Sequence, residues 1–101
     1  MQDREILSGL IRLHILHHAN KEPVYGFGMI SELRHHGYEM SPGTLYPILR
    51  RMEEKGYLIS SREQVNGKVR KIYRTTATGD QALDIGKSRV KELFGELFEE
   101  K

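Results

Sequence analysis

Residues 41–76, SPGTLYPILRRMEEKGYLISSREQVNGKVRKIYRTT, decide the fold. They read as one helix followed by one hairpin. Ser41 is a favourable N-cap, and Pro42 suits the first helical turn, where its missing N–H is no loss and its fixed φ is already helical. Leu45, Ile48, Leu49 and Met52 recur at i, i+3, i+4 and i+7, which gives a helix over 42–55 one buried face. Lys55 and Gly56 close it with a basic last turn and a residue free to take positive φ. Pro47 breaks the pattern by removing an N–H from the helix, a loss softened by its place near the N-terminus. The opposite face carries Gly43, Tyr46, Pro47, Arg50, Arg51 and Glu54. It is slim at its start and cationic at its middle, as a helix entering a nucleic-acid groove must be, although two arginines on a helix are also ordinary solvated charge.

The residues that follow weigh against the ordinary reading. Leu58–Val65 and Val69–Thr75 are rich in β-branched and aromatic residues and are joined by Asn66-Gly67, the strongest short signal for a type I′ turn. Counting outward from that turn sets Val65 opposite Lys68 and Glu63 opposite Arg70, an opposite-charge pair across the strands. Lys68, Arg70, Lys71 and Arg74 make the second strand basic, and Arg62 adds to it from the first. From Ser41 to Thr76 there are eight Lys or Arg against three Glu, a net of +5 in a chain whose total is only +2. The positive charge is concentrated in this one segment.

These residues also resemble a known family. LYPILRRMEEKGYL, followed by a hairpin that ends RKIYRTTATGDQAL, is similar to the winged helix-turn-helix signature of the PadR family of bacterial transcriptional regulators. The matching pieces are Leu45-Tyr46-Pro47, Glu54-Lys55-Gly56, Arg70 through Tyr73, Thr76 through Gly79, and Tyr25-Gly26 ahead of the second helix. The resemblance covers most of the chain, and the combination is specific where each piece alone is weak. Two positions depart from the pattern, both in the wing: Ile72 where an aromatic is common and Thr75 where Leu is common. The resemblance implies that the Tyr25-Gly26 helix start lies near the DNA backbone, so Tyr25 is either a phosphate contact or a ring packed under its own helix.

Length and composition agree with such a module. At 101 residues the chain is one domain whose single core is only marginally sufficient, so that an oligomeric interface would help. A net charge of +2 permits nucleic-acid binding without requiring it. Cysteine is absent, which excludes disulfides, thiolate metal sites and cysteine nucleophiles. No apolar run is long enough to span a membrane and no signal-peptide segment is visible, so a cytoplasmic, nucleoid-associated protein is expected. The serines lie at a cap, in strands or on helix faces with no His-Asp pattern nearby, so no enzyme is expected.

The flanking helices complete the reading. Asp3 to His18 is the first helix, and Ile6, Leu7, Leu10, Ile11, Leu13, Ile15 and Leu16 cover more than one of its faces. That surplus calls for burial on two sides. His14, His17 and His18 share helical spacing, but no carboxylate or cysteine stands beside them at matching spacing; packed or surface histidines are expected, with no metal and no cofactor. Asn20 to Val24 is a turn containing Pro23, and a second helix runs from Gly26 to His36 with Met29, Ile30 and Leu33 inward and Gly37 as its stop. Thr76 caps a last helix that continues to the C-terminus. Leu83, Val90 and Leu97 stand seven apart along it, with Leu93, Phe94 and Phe98 between or beside them. This stripe either completes the core or forms a seam for a second copy.

The expected fold is therefore mainly α with a two-stranded β wing, an α+β arrangement: a winged helix-turn-helix over residues 1–76 and a dimerisation helix over 77–101, within one compact unit. The expected function is a homodimeric repressor on a two-fold operator in double-stranded DNA. The DNA-facing residues would be Tyr25, Ser41, Thr44, Tyr46, Pro47, Arg50, Arg51, Lys68, Arg70 and Lys71. The dimer interface would use Ile6, Leu7, Leu10, Leu83, Val90, Leu93, Phe94, Leu97 and Phe98. The resemblance also implies a small-molecule effector at that interface, and the short C-terminal helix matches the family's minimal form. A winged-helix module whose basic face binds an acidic protein is the alternative.

Overall fold

The computed structural model describes residues 3–99. Its elements are α1 (Arg4–Lys21), β1 (Val24–Tyr25), α2 (Gly26–His35), α3 (Pro42–Glu54), β2 (Leu58–Val65), β3 (Lys68–Thr75) and α4 (Ala77–Glu99). The molecule is mainly helical, with one antiparallel sheet of strand order β1-β3-β2. Glu100 and Lys101, into which the sequence reading carries α4, lie outside the described residues.

Local sequence explains most of these boundaries. Asp3 caps α1 by accepting from the amides of Glu5 and Ile6 at 2.9 and 3.3 Å. α1 runs three residues past the expected His18 and stops at Lys21, because Glu22, which precedes Pro23, is forced into extended backbone. Both α2 and α3 end on a glycine with positive φ, Gly37 at 93° and Gly56 at 83°. In each case two amides fold back onto the last turn: Gly37 to Arg34 and Tyr38 to Leu33, then Gly56 to Glu53 and Tyr57 to Met52, all at 2.9–3.0 Å. This double closure is the Schellman motif, and it seats Tyr38 and Tyr57 against the core.

The hairpin has the expected register, with Val65 opposite Lys68 and Glu63 opposite Arg70, and Asn66 and Gly67 both at positive φ. β3 begins one residue earlier than expected, at Lys68. The sheet gains a third strand where the sequence reading has the end of a turn, at Val24, and a helix start, at Tyr25. Val24 and Tyr25 pair with Tyr73 and Ile72 of β3, so the residues ahead of α2 are stitched to the wing.

The core lies where α1, α2, α3 and the sheet meet. Ile15, Leu33, Leu45 and Leu49 are fully excluded from solvent, each contributing about 1.5–3 kcal/mol from burial. α4 joins this core only at its beginning. Thr76 caps it, accepting from the Gly79 amide at 3.0 Å while its hydroxyl donates to the Gly56 carbonyl at 2.5 Å. Asn20 of α1 donates to Asp80 at 2.8 Å, and hydrogen bonds from Thr75 and Asn20 hold the Asp80 carboxyl below its ordinary pKa. Gly86 then passes so close to Leu13 that a Cβ there would overlap its side chain, which brings α4 against α1 of its own chain. Beyond Leu83 no described residue of α4 is buried, and the molecule reaches 51 Å in its longest direction.

Candidate nucleic-acid interface

α3 presents the face that its periodicity dictates. Leu45, Leu49 and Met52 are buried and Ile48 half-buried, which turns Gly43, Tyr46, Pro47, Arg50, Arg51 and Glu54 outward. The helix continues across Pro47. Ser41 occupies the N-cap position but makes no capping bond, contrary to expectation; its hydroxyl instead donates to Thr44 Oγ1 at 3.3 Å. Thr44 is half-buried, and Arg4 of α1 also donates to Thr44 Oγ1, at 2.8 Å. That contact links residues forty apart and has no sequence signal.

Tyr46 is 43% exposed, yet the end of its ring lies against Gly26, at the start of α2. Tyr25 is half-buried in β1, and the Arg70 guanidinium stacks over its ring at 4.6 Å from the centroid. This stacking removes Arg70 from the pair expected across the hairpin. Glu63 is instead held by Arg74, through two hydrogen bonds at 2.6 and 3.3 Å, and Ser61 adds a third at 2.8 Å. The Arg74 bonds, followed by that of Ser61, hold the Glu63 carboxyl below its ordinary pKa, and Glu63 in turn raises that of Arg74.

The cations thus fall into two groups. Arg50, Arg51, Arg62 and Lys68 are exposed and, among the described residues, their side chains make no hydrogen bond or ion pair within the chain. Arg70 and Arg74 are engaged as described, and Lys71 stands 3.9 Å from Glu53 of α3. Glu53 also accepts from Ser60 at 2.5 Å, so one carboxylate joins α3 to both wing strands. Its role, and the freedom of Arg62, lay outside the residues picked from sequence.

α1 and α4 flank an open groove of about 570 Å³, lined by Leu10, Leu13, Leu83, Val90 and Phe94 with His14, His17, Lys87 and Lys91. The residues expected at a dimer interface divide here. Leu83 is 7% exposed and Leu7 half-buried, both against the chain's own core. Ile6, Leu10, Val90, Leu93, Phe94, Leu97 and Phe98 are 43–77% exposed, as is Ile85, which sequence reasoning passed over. The rings of Phe94 and Phe98 lie 5.0 Å apart.

This arrangement of helices and wing matches proteins already known. Residues 15–85 match the model of the transcriptional regulator PadR-like family. The chain belongs to the PadR-like family of transcriptional regulators. It is 45% identical to the transcriptional regulator Rv3488 of Mycobacterium tuberculosis over 94 residues, 93% of this chain and 88% of that one. The PadR-like transcriptional regulator BC4206 of Bacillus cereus superposes with a TM-score of 0.87 at 27% identity, covering 92% of each chain. A PadR family regulator of Eggerthella lenta does so with a TM-score of 0.78 at 32% identity, covering 92% of this chain and 82% of that one. Its family and its curated relative are regulators of transcription, not enzymes. Among the described residues, no helix of this PadR-like chain is long and apolar enough to cross a membrane.

The family signature also acquires a physical meaning in this geometry. The Tyr-Gly ahead of α2 and the Leu-Tyr-Pro of α3 meet at the Gly26–Tyr46 contact. The Thr-x-x-Gly that opens α4 brings Gly79 onto the Tyr57 carbonyl, where a Cβ would overlap the oxygen. A Cβ at Gly26 would displace the end of the Tyr46 ring, and one at Gly79 would strike a backbone oxygen.

Proposed function

We propose that the protein is a homodimeric DNA-binding repressor, acting in the cytoplasm on a two-fold operator. Two copies of α3 would lie in major grooves about one helical turn, on the order of 10 bp, or a multiple of it apart. The observation that carries this reading is the set of exposed cations without intramolecular partners, Arg50 and Arg51 on α3 and Lys68 at the tip of the following wing. Arg50 is assigned to a base edge or phosphate and Arg51 to a flanking phosphate. Thr44 Oγ1 already accepts from Arg4 and Ser41, which leaves its own proton for a phosphate oxygen. Tyr46 donates beside it, while Ser41 and Pro47 keep the helix start slim and uncapped by a side chain, open to a backbone phosphate. Tyr25 and Arg70 act as one stacked unit beside the wing, and Lys71 reaches DNA by leaving Glu53.

Dimerisation is assigned to the exposed apolar residues of α1 and α4, since paired modules gain affinity from engaging two half-sites at once. The α1–α4 groove, about 570 Å³ and mostly apolar, is of a size that accepts a small organic effector. The test is selection of bound sequences from a random duplex pool. A motif with two-fold symmetry, bound less tightly as salt rises, is the expected result. No salt-dependent shift of any duplex would leave the alternative, a basic face that docks an acidic protein.

A further inference from the structure

α1 and α2 face each other with a pair of possible ligand side chains on each. His14 and His18 stand at i and i+4 on α1; Glu32 and the C-cap residue His36 stand at i and i+4 on α2. Such spacing puts both members of a pair on one side of a helix. The two pairs converge. A ring nitrogen from each of His14, His18 and His36 can be chosen so that all three lie within 4.8 Å of one another. Glu32 Oε1 lies 3.1 Å from His36 Nε2 and 3.5 Å from His18 Nε2, between the two. His18 Nε2 is shielded from solvent, and at that separation no protein group among the described residues hydrogen-bonds to it. The His14 and His36 rings stack at 4.7 Å, with the edge of Tyr38 against His14.

We propose that His14, His18, His36 and Glu32 form a binding site for a divalent transition-metal ion of the zinc or nickel class. Imidazole nitrogens with one carboxylate oxygen are the donors those ions prefer, and the chain has no cysteine to offer a thiolate alternative. Tetrahedral ligation brings nitrogens to about 3.3 Å from one another, given metal–nitrogen bonds of about 2.0–2.1 Å. Side-chain rotation covers the remaining distance, because His36 is exposed and Glu32 half-exposed. An approach exists as well: His18 and Glu32 line an open pocket of about 190 Å³ between the end of α1 and the start of α2. The sequence hides this site because each helix holds only half of it. The carboxylate missing beside the α1 histidines comes from α2.

A bound ion would tie the middle of α1 to the C-terminal end of α2, the helix directly before α3. The site itself does not depend on DNA binding, so it is tested on tag-free, chelator-stripped protein without DNA. Titration with Zn²⁺ or Ni²⁺ by calorimetry should give one ion per chain. Co²⁺ should develop the visible absorption of a nitrogen-ligated, low-coordinate ion. His36→Gln and Glu32→Gln, both at accessible positions and checked for folding by circular dichroism, should each weaken binding at least about tenfold. His35→Gln, on the neighbouring exposed residue, should leave it unchanged. Absence of stoichiometric binding, or affinity unaffected by both the His36 and Glu32 variants, would overturn the assignment and leave a packed histidine stack. Neither result bears on whether the protein binds DNA.

Discussion

The ring of Tyr46 on α3 covers Gly26 on α2 so closely that a Cβ built on Gly26 would come within 2.5 Å of it. The two helices of the helix-turn-helix therefore meet at a point fixed by one missing methyl group. Gly26→Ala should push the ring aside rather than unfold the chain, because Tyr46 is 43% exposed and has room to move. Overpacking of this kind costs about 1–3 kcal/mol when nothing yields, and less here. A double-mutant cycle measures it: thermal unfolding of G26A, Y46A and the double variant should show the Gly26 penalty vanishing once Tyr46 is truncated. Additive losses would mean that the two residues do not share this contact.

Gly79 meets an obstacle that cannot swing away. A Cβ there would run into the backbone carbonyl of Tyr57, at the junction where Thr76 also binds Gly56. Gly79→Ala must shift either α4 or the start of the wing, and its cost should lie at or beyond the upper end of the roughly 1–3 kcal/mol range for overpacking. Urea unfolding of G79A and G26A side by side gives the comparison. The larger loss should belong to G79A, although both changes are nominally the same substitution and alanine favours a helix in each.

The contrast between short-range and long-range contacts explains what the sequence could disclose. The hairpin register followed from Asn66-Gly67 alone, and the end of α3 from Lys55-Gly56, because turn chemistry and helix periodicity are local. β1 was illegible, since two residues carry no period and become a strand only beside β3. Missing it altered the electrostatics too. β1 delivers the Tyr25 ring beneath Arg70, which frees Glu63 for Arg74 and overturns the expected Glu63–Arg70 pair. The bond from Arg4 to Thr44 and the meeting of Glu32 with the α1 histidines were hidden for the same reason. In each case both halves were visible and the fold that joins them was not.

The wing's charges make a prediction of opposite signs. Lys68 has no partner to leave, so Lys68→Ala should lower affinity for every duplex and flatten the dependence of log K on log salt by about one unit, the effect of one lost phosphate contact. Lys71→Ala should have a smaller effect, because the free protein holds that ammonium near Glu53. Glu63→Gln removes a negative charge and releases Arg74, so it should tighten non-specific binding and steepen the salt dependence. Its effect on thermal stability should be near zero, since the pair is solvent-screened. Fluorescence anisotropy with a labelled random duplex at several salt concentrations reads all three. An unchanged slope for the Lys68 variant would take the wing out of DNA recognition.

Phe94 and Leu83 lie on the same helix and make opposite demands. Leu83 is 7% exposed, part of the chain's own core, so Leu83→Glu should unfold the protein. Phe94 is 53% exposed in the single chain, where its ring packs against that of Phe98, itself 70% exposed, so Phe94→Glu should leave the folded monomer intact by circular dichroism. In a dimer formed through the second half of α4, the same carboxylate would be desolvated against an apolar partner face. Light scattering should then report the monomer mass for Phe94→Glu and twice that for the parent protein. Affinity for a two-fold operator should fall by about 10²–10⁴, the advantage of linked half-sites, while affinity for an isolated half-site stays within a few fold. A variant that remains dimeric would move the interface away from α4, toward the exposed Ile6 and Leu10 of α1.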